Sequence, residues 1–292
     1  MATVVIESGQ SLLLCSGTLH ADVSLRDRLA AASAAGFSYI SMWGRDYQRA
    51  GADGLSDSDI LHMLADHGLH VGELDPVWSW LPGTQNFQLP IEHDPSLIFQ
   101  FDDSRMLAVA ETLQARSINV VDILGGTWTH QEAVESFKLL CQRAADHGLL
   151  VQLEFLPWSR IPDLSSAWEI VHEADEDNGG LTIDAWHYCR QPAGKHTLRS
   201  IPPDRILGIQ LCDGLAAPPE NPMHAALHDR LLPGEGEFDL STLMAELRVA
   251  GSSAPIGIEV FSDALHGLSP VEGARQAGEA LRRLLGSETR PR

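Results

Sequence analysis

Basic side chains are scarce in this sequence: 20 Lys and Arg stand against 40 Asp and Glu in 292 residues, a formal net charge of −20. A field of that sign repels phosphate backbones and anionic headgroups, so neither nucleic acid nor a membrane surface is an expected partner. Cysteine is also sparse. Cys15, Cys141, Cys189 and Cys212 form no closely spaced pair, which reads as reduced thiols rather than a disulfide framework. No apolar run approaches the roughly 18 residues of a membrane span. The N-terminus lacks a basic stretch followed by an apolar signal core, and the expectation is a cytoplasmic protein.

What the sequence does contain is alternation. Short apolar runs at 11–16, 38–43, 71–74, 118–124, 150–155, 181–184, 206–212 and 255–260 are rich in Val, Ile, Leu or Phe and read as strands. Between them, 25–35, 57–67, 104–115, 131–147, 164–174, 240–249 and 271–285 read as helices, and only the segment near 196–201 looks too short for one. Gly36, Gly68, Gly148 and Gly251 fall where a left-handed cap would end a helix. Eight strand–helix units in a chain that is 44% hydrophobic predict an α/β fold, a single-domain (β/α)₈ TIM barrel over residues 10–286, with tails at 1–9 and 287–292. The long, Pro-bearing segments 76–100 and 213–236 then read as loops that build the mouth.

In such a barrel the functional groups gather at the C-terminal strand ends. Four consecutive strands carry one there between apolar neighbours: Glu154 in Gln-Leu-Glu-Phe, Asp184 in Thr-Ile-Asp, Gln210 in Ile-Gln-Leu and Glu259 in Ile-Glu-Val. Outward-facing apolar neighbours force these side chains inward, where an unpaired charge costs several kcal/mol and a bound cation would offset it. Three carboxylates and a carboxamide oxygen suit Mn²⁺ or Mg²⁺, with Co²⁺ as a third candidate, better than zinc. Each residue alone reads as well as a paired core group, and it is their placement on adjacent strands that points to a site.

The segments LEF at 153–155, IDAWH at 183–187, IQLCDG at 209–214, LPGEGEFDL at 232–240 and GIEVF at 257–261 resemble the xylose isomerase-like barrel superfamily of sugar isomerases, epimerases and dehydratases. The resemblance spans nearly the whole chain. It implies metal ligation by Glu154, Asp184, Gln210 and Glu259, a substrate-facing His187 and an Arg230 that reaches a substrate oxygen. Gln210 departs from the sugar-epimerase pattern, which has His there, and is similar to the hydroxypyruvate isomerase and 3-dehydroshikimate dehydratase branches.

Glu154 and Glu259 come from different sides of the barrel, so one can take a proton beside a carbonyl while the other returns it, through a metal-stabilised enediolate. His20 and Asp75 are further pocket candidates, whereas Arg45, Asp122 and Asp213 read as structural. Trp43, Trp78, Trp80, Trp128, Trp158 and Trp186 fall at or just past strand ends, with Trp168 inside a helix. An aromatic mouth, with Trp43, Trp128 and Trp186 as substrate contacts, favours a ring-containing substrate, although each Trp reads equally as loop packing. Arg45, Arg160, Arg190 and Arg230 are too scattered for a phosphate handle, so an unphosphorylated small molecule is expected.

The leading expectation is therefore a metal-dependent isomerase or epimerase acting on a keto-sugar or cyclic hydroxyketone. A lyase of dehydratase type on the same groups is the alternative. An abasic-site endonuclease of the endonuclease IV type would need more metal ligands and a basic track. A barrel without activity is disfavoured by the presence of all four proposed ligands, and a homo-oligomeric assembly stays open.

Overall fold

The computed structural model describes residues 11–84, 101–123, 126–191 and 198–287. The two expected tails, apart from residue 287, lie outside the described residues, as do residue 10 of the expected barrel, 85–100 of the first long loop, Leu124, Gly125 and His196.

Eight parallel strands close a barrel in sequence order: β1 (Leu12–Leu14), β2 (Tyr39–Trp43), β3 (His70–Val77), β4 (Ser117–Val120), β5 (Leu150–Glu154), β6 (Gly179–Asp184), β7 (Ile206–Leu211) and β8 (Ile256–Ile258), with β1 pairing β8. The (β/α)₈ expectation is met. Around it run α1 (Leu25–Ala34), α2 (Gly44–Ala52), α3 (Asp57–Asp66), α4 (Asp103–Thr112), α5 (His130–Ala145), α6 (Leu164–Ala174), α7 (Ala185–Arg190), α8 (Pro222–His228), α9 (Leu240–Ala250), α10 (Asp263–His266) and α11 (Pro270–Ser287).

The long helices start where the sequence supplies an oxygen acceptor. Ser24 accepts from the Asp27 N–H in α1, and Thr129 and Glu132 form a reciprocal box at α5, each cap contributing about 1 kcal/mol. Gly36, Gly68, Gly148 and Gly251 all have φ between 64° and 80°, the left-handed geometry that ends a helix and that a side chain would oppose. The helices α2, α7, α8 and α10 were not expected. The helices α7, α8 and α10 are short, begin at or within a loop after a strand, and hold too few turns for a 3.6-residue period to be visible, whereas α2, of 9 residues, follows directly on β2 and was passed over. In α7 the start is set by a site residue, since the Asp184 carboxylate accepts from the His187 N–H at 3.0 Å.

Three strands, β1, β4 and β8, are each three residues shorter than the apolar runs predict. β1 stops at Leu14 because Ser16–Thr18 turn into a 3₁₀ segment, where the Ser16 N–H donates to the Ser41 hydroxyl at 2.7 Å. β4 stops at Val120.

Along β4, β5, β6 and β7, apolar and polar side chains alternate although both are buried: Ile118 and Val120 against Ser117 and Asn119, Val151 and Leu153 against Gln152 and Glu154, Leu181 and Ile183 against Thr182 and Asp184. The apolar set belongs to the continuous core shared with the helices, where a fully buried side chain such as Phe137, edge-on to Trp80, contributes about 1.5–3 kcal/mol. The polar set fills the barrel itself, and the interior is therefore a hydrogen-bonded stack rather than an aliphatic one. Gly208 leaves room for it, because a Cβ there would lie 2.8 Å from Gln152 Oε1.

Candidate functional site

The stack has two levels. In the lower one the Glu73 carboxylate accepts from Gln210 Nε2 at 2.9 Å and from Gln152 Nε2, with Cys15 Sγ 4.0 Å away. Burial pushes the Glu73 carboxyl up to about 7, against the opposing pull of the two amides. In the upper level Thr182 Oγ1 donates to Asn119 Oδ1 at 2.8 Å, and Asn119 Nδ2 donates to Glu154 Oε2 at 2.6 Å. The other Glu154 oxygen lies 3.3 Å from His187 Nε2, so strand β5 and helix α7 meet at that carboxylate.

Arg230 closes the opposite side. Its Nη1 contacts Asp184 Oδ2 at 2.7 Å and Glu259 Oε2 at 3.2 Å, while Nε donates to the Ala226 carbonyl at 2.8 Å. Burial works against ionised Asp184, yet Arg230 and His187 together hold its carboxyl below the ordinary range. At Glu259 burial prevails and the carboxyl is raised well above its usual value, with Asp184, Glu154 and Asp75 adding repulsion to what Arg230 removes. Asp75 is likewise raised, by burial first and by Glu73 and Glu154 next.

Above these groups opens a cavity of about 240 Å³. Glu154, His187, Glu259, Arg230, Asp75 and Asn119 supply its polar lining, and Trp43, Phe261, Trp158, Leu156, Val121 and Ile123 supply apolar walls. Trp43 and Phe261 stand 5.9 Å apart between ring centroids, and Arg45 stacks 3.8 Å over the Trp43 ring. Trp158 meets the His187 ring edge-on at 5.2 Å.

The structure thus joins Asp184 and Glu259 through Arg230 and Glu154 with His187, and places Glu154, His187, Glu259, Asp75 and Trp43 at one cavity. Gln210 is the register partner of Asp184 and donates to Glu73, with its Oε1 buried and without a hydrogen-bond partner. Arg230, expected at a substrate oxygen, lines the cavity but is also locked into two carboxylates. His20 is not among the residues lining the cavity. It is half-exposed, beside Asp22 and edge-on to His266. Trp128 and Trp186 are not cavity walls either, since they carry the Arg160 and Arg190 guanidinium groups on their faces and pack loops. Asp213, expected to be structural, accepts from the Gly214, Gly234 and Phe238 N–H groups.

Sequence reasoning passed over Glu73 and Asn119. Both sit at polar positions of alternating runs, Val-Gly-Glu-Leu-Asp and Ser-Ile-Asn-Val, so the same alternation that exposed Glu154 could have found them. It also gave His187 no part in a metal site. Yet among the described residues Glu154, Asp184 and His187 each offer one ligand atom, all within 4.8 Å of one another. These three fit a divalent cation, with one nitrogen donor added to the oxygen set expected from the sequence, and the partnerless Gln210 oxygen sits on the strand position beside Asp184.

A family model described as Xylose isomerase-like TIM barrel matches residues 29–284. The chain is 26% identical over 278 residues to a 3-dehydroshikimate dehydratase of Pseudomonas putida, covering 94% of this chain and 41% of that protein. It is 25% identical over 149 residues to an inosose isomerase of Bacillus subtilis, covering 50% of this chain and 52% of that one. The chain thus spans about two-fifths of the length of the first of these relatives. Among solved structures, the IOLI protein with a bound zinc atom superposes with a TM-score of 0.80 at 20% identity, covering 95% of this chain and 98% of that chain, a likeness of fold.

Proposed function

This chain belongs to the xylose isomerase-like TIM barrel family, and we propose that it is a divalent-metal-dependent isomerase or epimerase of a small, unphosphorylated keto-sugar or cyclic hydroxyketone. The observation that carries this reading is that two buried glutamates from different strands, Glu154 and Glu259, line one cavity together with His187. A divalent cation held by Glu154, Asp184, Gln210 and Glu259, with His187 beside them, would supply Lewis-acid polarisation of a substrate carbonyl.

The chain's own groups then divide the proton work. Glu154, which accepts from Asn119 and faces His187, is positioned to take a proton from the carbon beside the carbonyl. Glu259, on a different strand of the same cavity, is positioned to return one from its own side. Asp184 anchors Arg230 and the start of α7, so it fixes both His187 and the guanidinium at the cavity edge. The Trp43 and Phe261 faces exclude water and match the apolar face of a ring better than an open chain of hydroxyls.

A second reading, a dehydratase, is supported by the Pseudomonas relatives, which align over 94% of this chain. On that reading Glu154 takes the same proton and His187 protonates a departing β-hydroxyl.

Incubating Mn²⁺-supplemented protein with keto-inositols, cyclic hydroxyketones and keto-sugars in deuterated water tests both. Deuterium entering a carbon beside the carbonyl of recovered substrate or isomer supports the isomerase. A new ultraviolet absorbance from a conjugated product supports the dehydratase. Neither signal across the panel, with Mn²⁺ demonstrably bound, would count against proton abstraction at this site.

A further inference from the structure

The buried stack beneath the cavity holds a carboxylate to which the mechanism above gives no role. Glu73 lies in the barrel interior, far from solvent, and its two oxygens accept from two carboxamides, Gln152 and Gln210. A carboxamide has a donating end and an accepting end, whereas a carboxylate only accepts. Toward an ionised Glu73 each glutamine turns its Nε2, as both do here, and leaves its Oε1 facing away. Both Oε1 atoms are buried and find no hydrogen-bond partner. A buried, partnerless carbonyl is an unfavourable arrangement that native interiors avoid unless another group satisfies it.

For Gln210, unlike Gln152, the neighbouring strand offers a candidate for that group. The register partner of Gln210 across β6 and β7 is Asp184, one of the three residues whose ligand atoms cluster within 4.8 Å. With the nitrogen end tied to Glu73, the carboxamide oxygen is the end left unpartnered, on the strand position beside Asp184. An amide rotated the other way would present two hydrogens there and repel a cation.

We infer that Glu73 is a positioning residue which, by holding the Gln210 nitrogen, orders the Gln210 oxygen as a metal ligand and so sets the affinity of the site for its ion. Gln152 completes the device, because it occupies the second Glu73 oxygen and prevents that carboxylate from rotating away from Gln210. The inference rests on the proposed function only in taking Gln210 as a ligand.

The test is calorimetric titration of Mn²⁺, and in parallel Zn²⁺, into the chelator-stripped chain of 292 residues. Glu73→Met keeps the length of the side chain and removes both acceptors, and replacing a buried charge by an apolar group of similar size is commonly tolerated. It is expected to weaken ion binding by about 10–100-fold, the usual consequence of losing a group that orients a ligand. Glu73→Gln, with one acceptor where the carboxylate has two, is expected to weaken it in the same direction and serves if the Met variant does not fold. In a Gln210→Met background neither substitution should reduce affinity further. Wild-type affinity in the Glu73 variants, or an equal loss on adding them to Gln210→Met, overturns the positioning role while leaving the metal site in place. Failure of the wild type to bind either ion overturns the proposed metal dependence as well.

Discussion

Arg230 and Asp184 form an ion pair of 2.7 Å between side chains that are 3% and 0% exposed, joining the loop after α8 to the end of β6. Removing one partner of such a pair strands the other as an uncompensated charge, at about 3–5 kcal/mol. Arg230→Met is therefore expected to lower the stability of metal-free protein by that amount in denaturant unfolding. Added Mn²⁺ should recover part of the loss, because a bound dication replaces the missing positive charge beside Asp184 and Glu259. Equal losses with and without the ion would show that the two charges do not share a site.

The proposed division of proton transfer makes Glu154→Gln and Glu259→Gln equally diagnostic. Each keeps shape and removes a titrating group, and each is expected to lower turnover of any responsive ketone by at least about 10²-fold. Unimpaired turnover in both variants would end the acid–base assignment.

Chelation should be visible without any substrate. An ion at 100 times its Kd stabilises the native state by about 2.7 kcal/mol. The melting temperature is thus expected to fall by several degrees on adding chelator and to return with Mn²⁺. A melting curve indifferent to both would contradict a bound dication.

The raised Asp75 carboxyl gives a pH dependence of definite sign. Its folded value lies above the ordinary 3.8, so the native state holds a proton that the unfolded chain has released. Stability from this group is fully present at low pH and is lost as pH rises above that ordinary value. In metal-free protein, Asp75→Asn should make stability fall less steeply with rising pH than in wild type. A steeper fall in the variant would mean that Asp75 is ionised in the native state.

Gly17 tests the cavity wall from behind. A Cβ there would collide with the Phe261 ring, which lines the cavity. Gly17→Ala is expected to cost about 1–3 kcal/mol, as overpacking does, and to raise KM for a ring substrate as Phe261 is pushed inward. An unchanged KM would remove Phe261 from the substrate wall.

Much of this molecule is written locally. The apolar runs, the capping residues and the left-handed glycines specify strands, helices and their order, and alternation along β5 and β6 was enough to say that Glu154 and Asp184 face inward. These are properties of period and neighbour, which a sequence carries explicitly. The short helices α7, α8 and α10 were not legible, because their few turns follow from how the chain leaves a strand rather than from their own pattern.

What only the closed barrel decided is which inward groups meet. Arg230 lies 46 residues from Asp184 and 29 from Glu259, yet one of its nitrogens touches both. Glu73 and Gln210 are 137 residues apart and share a hydrogen bond at the centre of the barrel. His187 joined the ligand cluster and His20 stayed outside the cavity although both follow strand ends, and Trp43 became a wall while Trp128 and Trp186 became packing. Strand-end position fixes the level of a side chain, but its direction and partner depend on the register and curvature of eight strands closing together, and those arise from long-range contacts that no local stretch of sequence records.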